Sequence, residues 1–277
     1  MDIPKRQLGK TGVEVTILGL GGEGILRSRG FDREASELIN RALDLGINYC
    51  ESARAYDGSE SYYGNTLQQR RSEIFLTSKS HARDKTGALT HLHQTLRSMN
   101  TEYLDLWQVH DVRTGDDVEE IFGAGGAIEA FVEAKEKGLV RFIGVTGHHD
   151  PAIIRACIMR FPFDTVLLPV NPAEPVHQSF IQEVIPLAQE REMGIVGMKV
   201  YLRGLARRIP GHPGMKPYLR FALSQQVSNI VIGCDDLGQV EENVALARSF
   251  SPMSPEEQEE LISHVAPHAR ELMYYKP

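Results

Sequence analysis

The stretch GINYCESARAYDGSESYYG, residues 46–64, begins as a buried strand and then changes character. Ile47, Tyr49 and Cys50 are apolar or nearly so. Glu51, Ser52, Arg54, Tyr56, Asp57 and Ser59 follow within a few residues. A strand that ends in so many polar and titratable groups is either running into a solvated turn or carrying an active site to the mouth of a barrel.

Outward from this stretch, short apolar runs alternate with amphipathic ones. Strand-like runs occupy 15–22, 47–52, 73–80, 104–112, 141–147, 164–171, 194–200 and 229–235. Their shortness and β-branched content favour strand over buried helix. Helical periodicity covers 33–45, which Asp32 is placed to cap and Gly46 to end, and then roughly 60–70, 86–99, 125–137, 151–160, 177–190, 215–226 and 237–250. Eight strand–helix units in 277 residues predict one (β/α)8 TIM barrel, an α/β fold usually built from about 250 residues. No linker-like composition divides it, so residues 1–277 read as a single domain. Lys10-Thr11-Gly12 predicts the turn of an N-terminal β-hairpin. Ser254-Pro255-Glu256-Glu257 has the form of a capping box opening an extra C-terminal helix over about 255–272.

The composition is that of a soluble globular protein, 42% hydrophobic and 24% charged. Its 30 basic against 37 acidic residues, a net charge of −7, argue against nucleic acid or an anionic membrane as partner. The three cysteines, Cys50, Cys157 and Cys234, form no C-x-x-C, and with no apolar signal segment they suggest a reducing, cytoplasmic setting. No run approaches the roughly 20 apolar residues of a membrane span.

In a barrel of this type, catalytic groups stand at the C-terminal ends of the strands. Those ends read Glu51-Ser52 with Tyr56 close by, Lys79, His110-Asp111, Thr146-Gly147-His148, Asn171, Lys199 and Cys234-Asp235. A lone lysine or histidine at a strand end is usually structural; Tyr56, Lys79 and His110 after three consecutive strands form a pattern.

Here the chain resembles the aldo-keto reductases over nearly its full length. The family's G-x-N-x-x-D-T-A-x-x-Y is matched by Gly46 to Tyr56, its third-strand lysine by Lys79 in FLTSKS, and its Y-x-D-L-x-x-x-H by Tyr103 to His110. The opening LGKTGVEVTILGLG and the late GQVEENVALA match as well. The resemblance implies a nicotinamide-dependent oxidoreductase that reduces the carbonyl of an aldehyde or ketone to an alcohol. Tyr56 would be the general acid, Lys79 would tune it, Glu51 would hold Lys79, and His110 would orient the carbonyl. A phenol of ordinary pKa, about 10, stays protonated at neutral pH, and a nearby ammonium is expected to lower that value. Glu51 departs from the family's aspartate by one methylene.

The same resemblance implies NADPH as cofactor; the uncharged Gly233 and Gln239 at the family's usual basic positions, with Asp235 and Asp236 between them, leave NADH usable. Its expected contacts are Gly22 at the barrel mouth; Thr146, Gly147 and His148 after the fifth strand; Asn171 after the sixth; and Met198, Lys199, Val200, Leu202, Arg203 and Gly204 after the seventh. Gly233, Cys234, Asp235, Gln239, Glu242 and Asn243 follow around the last helix of the barrel. Thr146-Gly147, Leu167 and Met198 stand where the family usually has Ser-Asn, Gln and an aromatic residue. No metal is expected; His91 and His93, two apart on a helix, cannot face one ion.

Three other readings compete, one of them a barrel that forms a Schiff base through Lys79. GLGGEG at 19–24 satisfies the Rossmann fingerprint, but that motif must open a helix at once, and helical periodicity resumes only near Asp32. A non-catalytic, nucleotide-binding redox-sensing subunit is the alternative from another class. The loops 23–31, 57–61, 111–124 and 201–214 should shape the substrate pocket, and the short C-terminal tail predicts that it is open.

Overall fold

Residues 2–277 are described by a computed structural model. The chain opens on an antiparallel hairpin, β1 (Lys5–Gln7) and β2 (Glu14–Thr16). Eight parallel strands follow: β3 (Leu18–Gly24), β4 (Tyr49–Glu51), β5 (Phe75–Ser80), β6 (Leu104–Val109), β7 (Val140–Thr146), β8 (Thr165–Pro169), β9 (Gly194–Met198) and β10 (Asn229–Cys234). They close in that order, β10 pairing with both β9 and β3. GLGGEG therefore lies wholly within β3 instead of turning into a helix, which removes the Rossmann reading.

The outer layer contains α1 (Asp32–Asp44), α2 (Ser59–Leu67), α3 (Lys85–Ser98), α4 (Gly115–Phe122), α5 (Ala127–Glu136), α6 (Pro151–Arg160), α7 (Phe180–Glu183), α8 (Ile185–Glu190), α9 (Lys216–Ser224) and α10 (Leu237–Arg248). Beyond it come α11 (Pro255–Val265) and the short α12 (Ala269–Leu272). Helix α1 buries Ala35, Leu38, Ile39, Ala42 and Leu43, the stripe its periodicity predicts. Asp32 is its first helical residue, not its cap: Phe31 holds the cap position without a side-chain bond, and Asp32 instead sets a negative charge against the helix N-terminus. The 177–190 segment breaks into α7 and α8 because Pro186 cannot donate within a continuous helix. The loop expected at 111–124 holds α4, capped by a Thr114–Asp117 box. Ser254 and Glu257 form the predicted box on α11.

Alternation along each strand sets the site. Tyr49 and Phe75 stack inside the barrel and pack with Leu8, Val15 and Leu106, so the hairpin plugs the end where the strands begin. Two residues further on, on the same inward faces, come Glu51 and Thr77, paired in register, and then Lys79. The apolar plug at one end leaves the titratable groups at the other.

Candidate active site

At the C-terminal ends of the strands lies a cavity of about 1000 Å³. Glu51, Tyr56, Lys79 and His110 all line it. Lys79, 1% exposed, donates to Glu51 Oε1 and to the Ser52 carbonyl, the latter at 2.8 Å. Glu51 Oε2 accepts from the Gly22 backbone N–H at 3.2 Å. The longer carboxylate thus bridges β3 and β5, and this second contact absorbs the extra methylene. The Lys79 ammonium lies 4.6 Å from the Tyr56 ring centroid, and the His110 ring stands edge-on to that ring at 5.8 Å.

Charge states follow from burial. Burial pulls Lys79 well below its usual range, with Glu23 opposing. Burial raises the Tyr56 phenol, Glu23 and Asp111 add to the rise, and Arg27 and Arg203 oppose it. The expectation that Lys79 lowers this phenol is therefore corrected: taking a would-be phenolate out of water outweighs the nearby cations. Burial, then Lys79, His81 and His148, hold His110 far below its usual value, so its ring is neutral. Its Nδ1 is buried without a protein partner.

Of the residues expected to hold the nucleotide, Thr146, His148, Met198, Lys199, Val200, Arg203, Gly204, Gly233, Asp235, Gln239, Glu242 and Asn243 line the cavity. Gly22, Gly147, Asn171, Leu202 and Cys234 do not. A Cβ on Gly22 would lie 2.7 Å from the Glu51 carbonyl and 2.9 Å from the Tyr56 ring, so only glycine fits between them. A Cβ on Gly147 would strike Ile154 at 2.4 Å. Leu202 belongs to a hydrophobic cluster under the C-terminal helices. Cys234 is buried and lies 3.6 Å from the Asn243 amide. Asn243 is itself engaged, accepting from Tyr201 Oη at 2.7 Å. The backbone from Lys199 is strained: Lys199, Leu202 and Arg203 have φ of 56°, 51° and 54°.

Asn171 is fully buried by the chain terminus. Its amide donates to Tyr275 Oη at 3.1 Å, and Tyr275 donates to Glu174 at 2.7 Å. Lys276, its side chain 1% exposed, donates to Glu174 at 2.7 Å and to the His177 and Gln178 carbonyls at 2.9 and 2.8 Å. Tyr274, Tyr275 and Lys276 thereby line the cavity. The short tail does not stay clear of the pocket: it folds back and is pinned on its wall. Glu23 and Arg27, from the loop expected at 23–31, stand on the wall, as does His81, which sequence reasoning missed. The paired aromatics and lysine in the terminal ELMYYKP were the available signal for the tail.

His148 Nδ1 lies 3.2 Å from Asp111. Burial, with Lys199, nevertheless pushes His148 down from 6.5 to about 3. A folded-state pKa below the unfolded one favours the fold when the group is neutral. That contribution is complete above 6.5 and is lost as pH falls toward about 3. The midpoint of thermal unfolding is thus expected to drop between about pH 7 and about pH 5, and to drop less in His148→Asn. Equal drops would mean that His148 is charged in the fold.

Residues 17–218 match the model of the aldo/keto reductase family. The chain belongs to this family. It is a nicotinamide-dependent oxidoreductase acting on carbonyl compounds. It is 26% identical over 221 residues to the uncharacterized oxidoreductase YqkF of Bacillus subtilis, spanning 74% of this chain and 67% of that one. An aldo-keto reductase from Bacillus halodurans in its holo form superposes with a TM-score of 0.77 at 24% identity, over 98% of this chain and 96% of that one. An aldo-keto reductase from Klebsiella pneumoniae in complex with NADPH gives 0.77 at 16% identity, over 95% of both. At those identities the two structures speak for the barrel alone.

Proposed function

We propose that this aldo/keto reductase reduces an aldehyde or ketone to the alcohol with Tyr56 as proton donor. The observation that carries the reading is the convergence of Tyr56, the Lys79–Glu51 pair and His110 on one cavity. When bound, the nicotinamide nucleotide supplies the hydride. Tyr56 remains protonated because burial raises it, so its phenol carries the proton that the developing alkoxide needs. Lys79 is fixed by Glu51 and the Ser52 carbonyl beside the ring; pairing with Glu51 favours its ammonium form against the pull of burial, and as an ammonium it would stabilise the phenolate left after transfer. Neutral His110 has one ring N–H to offer the carbonyl oxygen. Oxidation of NADPH in the presence of a panel of aldehydes and ketones tests the reading; no consumption with any of them would count against it.

The cavity suits such a nucleotide. Lys199, Arg203 and Arg207 lie on its wall as partners for phosphates, and Met198 offers a flat apolar contact for the nicotinamide ring. NADPH is the assigned cofactor, as in the Klebsiella complex. At the adenosine end, however, the wall carries Gly233, Asp235, Gln239 and Glu242, with no basic side chain among them. We expect NADPH to be preferred over NADH by less than about 100-fold, or roughly 2.7 kcal/mol. Fluorescence titration with both nucleotides checks this, and a larger preference would show that an arginine of the loop after β9 reaches the 2′-phosphate.

The same reading takes residues 1–277 as one catalytic domain, since β10, beyond the matched segment, closes the barrel. Among the described residues no helix is long and apolar enough to cross a membrane. The free, buried Cys50, Cys157 and Cys234 suit a reducing cytoplasm.

A further inference from the structure

We propose that the carbonyl substrate carries an anionic group, a carboxylate or a phosphate, and that Arg27 receives it. This inference rests on the reductase reading above and names the substrate class of the same site.

The charges around Tyr56 are unequal. The Arg27 guanidinium lies 4.9 Å from the Tyr56 ring centroid, beside the phenol that a reacting carbonyl would approach. Among the described residues its one protein acceptor is Glu23, at 2.7 Å, and its side chain is 40% exposed. Glu23 also faces Arg203, at 3.5 Å. One carboxylate thus serves two guanidiniums. The other acid near the phenol, Asp111, is engaged by Arg113 at 2.6 Å and faces His148. Lys199 has no carboxylate within 4.0 Å among the described residues; its ammonium lies over Tyr275 instead. The result is an excess of positive charge on the wall that faces the phenol.

Position separates Arg27 from the other cations. Lys199, Arg203 and Arg207 come from β9 and the loop that follows it, and they suit the nucleotide's phosphates. Arg27 comes from the turn after β3 and lies on the phenol itself. A guanidinium presents a planar fork of N–H donors, and all but the one on Glu23 remain for a ligand. That fork matches the two oxygens of a carboxylate or phosphate. The wall beside it is polar as well: His81, His148 and His149 line the cavity with the phenols of Tyr274 and Tyr275. A purely hydrocarbon aldehyde would leave the remaining donors of Arg27 without an acceptor, which costs binding.

The test is carbonyl reduction at saturating NADPH with two matched pairs, succinic semialdehyde against butanal and glyceraldehyde 3-phosphate against glyceraldehyde. The inference expects kcat/KM to favour the charged member of at least one pair by about 30-fold or more, the size of one charge-assisted contact. The first pair reports a carboxylate and the second a phosphate. Arg27→Met should bring that ratio below about 3, and Arg27→Lys, which keeps the charge without the fork, should restore part of it. Ratios near one in both pairs for the native chain would overturn the inference. So would a ratio that survives in Arg27→Met while the KM for NADPH rises, because Arg27 would then serve the nucleotide. If no carbonyl compound oxidises NADPH, the reductase reading itself falls and the substrate class falls with it.

Discussion

Replacing Tyr56 with phenylalanine is expected to lower kcat/KM for carbonyl reduction by about 10²- to 10⁴-fold, the usual contribution of a positioned general acid. The change removes one oxygen and keeps the ring that packs between Lys79, Arg27 and His110. The Lys79–Glu51 pair does not depend on the phenol, so the wall of the cavity should persist. NADPH affinity, read by fluorescence titration, is expected to change by less than about threefold, because the hydroxyl acts on the carbonyl and not on the nucleotide. Activity within a few-fold of the native chain would remove Tyr56 from its role. A parallel loss of nucleotide binding would mean that the ring, not the proton, had been tested.

The second large effect is expected at the other end of the chain. Lys276→Met should destabilise the fold by about 3–5 kcal/mol, the range for leaving one member of a buried ion pair without its partner. Glu174 is fully buried, and its carboxylate would keep only Tyr275 Oη and the Phe180 N–H. Burial already raises Glu174, so protonation can relieve part of the cost, and the loss should shrink at acid pH. The double variant Lys276→Met with Glu174→Gln should recover stability, since the stranded charge is gone. Because Tyr275 bonds Glu174 and Asn171, the single variant should also loosen the cavity wall and raise the substrate KM. Denaturant unfolding and steady-state kinetics read the two effects separately. An unfolding free energy within about 1 kcal/mol of the native chain would show that the tail is not pinned as described.

The barrel was legible because each strand and helix declares itself locally. Alternation places Tyr49 and Glu51 of β4, and Phe75, Thr77 and Lys79 of β5, on the same inward face; the helical stripe of α1 is complete within 13 residues. The convergence of Glu51, Tyr56, Lys79 and His110 followed from the same rule, since strand ends of a closed barrel share one mouth. What depended on distant partners was not legible. The Asn171 amide meets a phenol 104 residues later, and the Gly22 backbone N–H meets a carboxylate carried by the next strand of the barrel; neither partner can be read from the local sequence. Helix α4 was hidden because its cap box uses Asp117 where the common pattern has Glu or Gln. The direction of the Tyr56 shift failed for a related reason. Sequence shows which charges can be near the phenol, whereas the extent of burial that outweighs them is a property of the closed fold.

The most direct measurement of the central claim uses NADPH carrying deuterium at the transferable position of its nicotinamide, incubated with the native chain and a carbonyl compound that it consumes. Mass spectrometry of the product alcohol then locates the label. The account predicts one deuterium on the former carbonyl carbon, formed in step with nucleotide oxidation, with both signals falling together in Tyr56→Phe. Nucleotide oxidation without label in the alcohol, or labelled alcohol formed at the native rate by Tyr56→Phe, would contradict it.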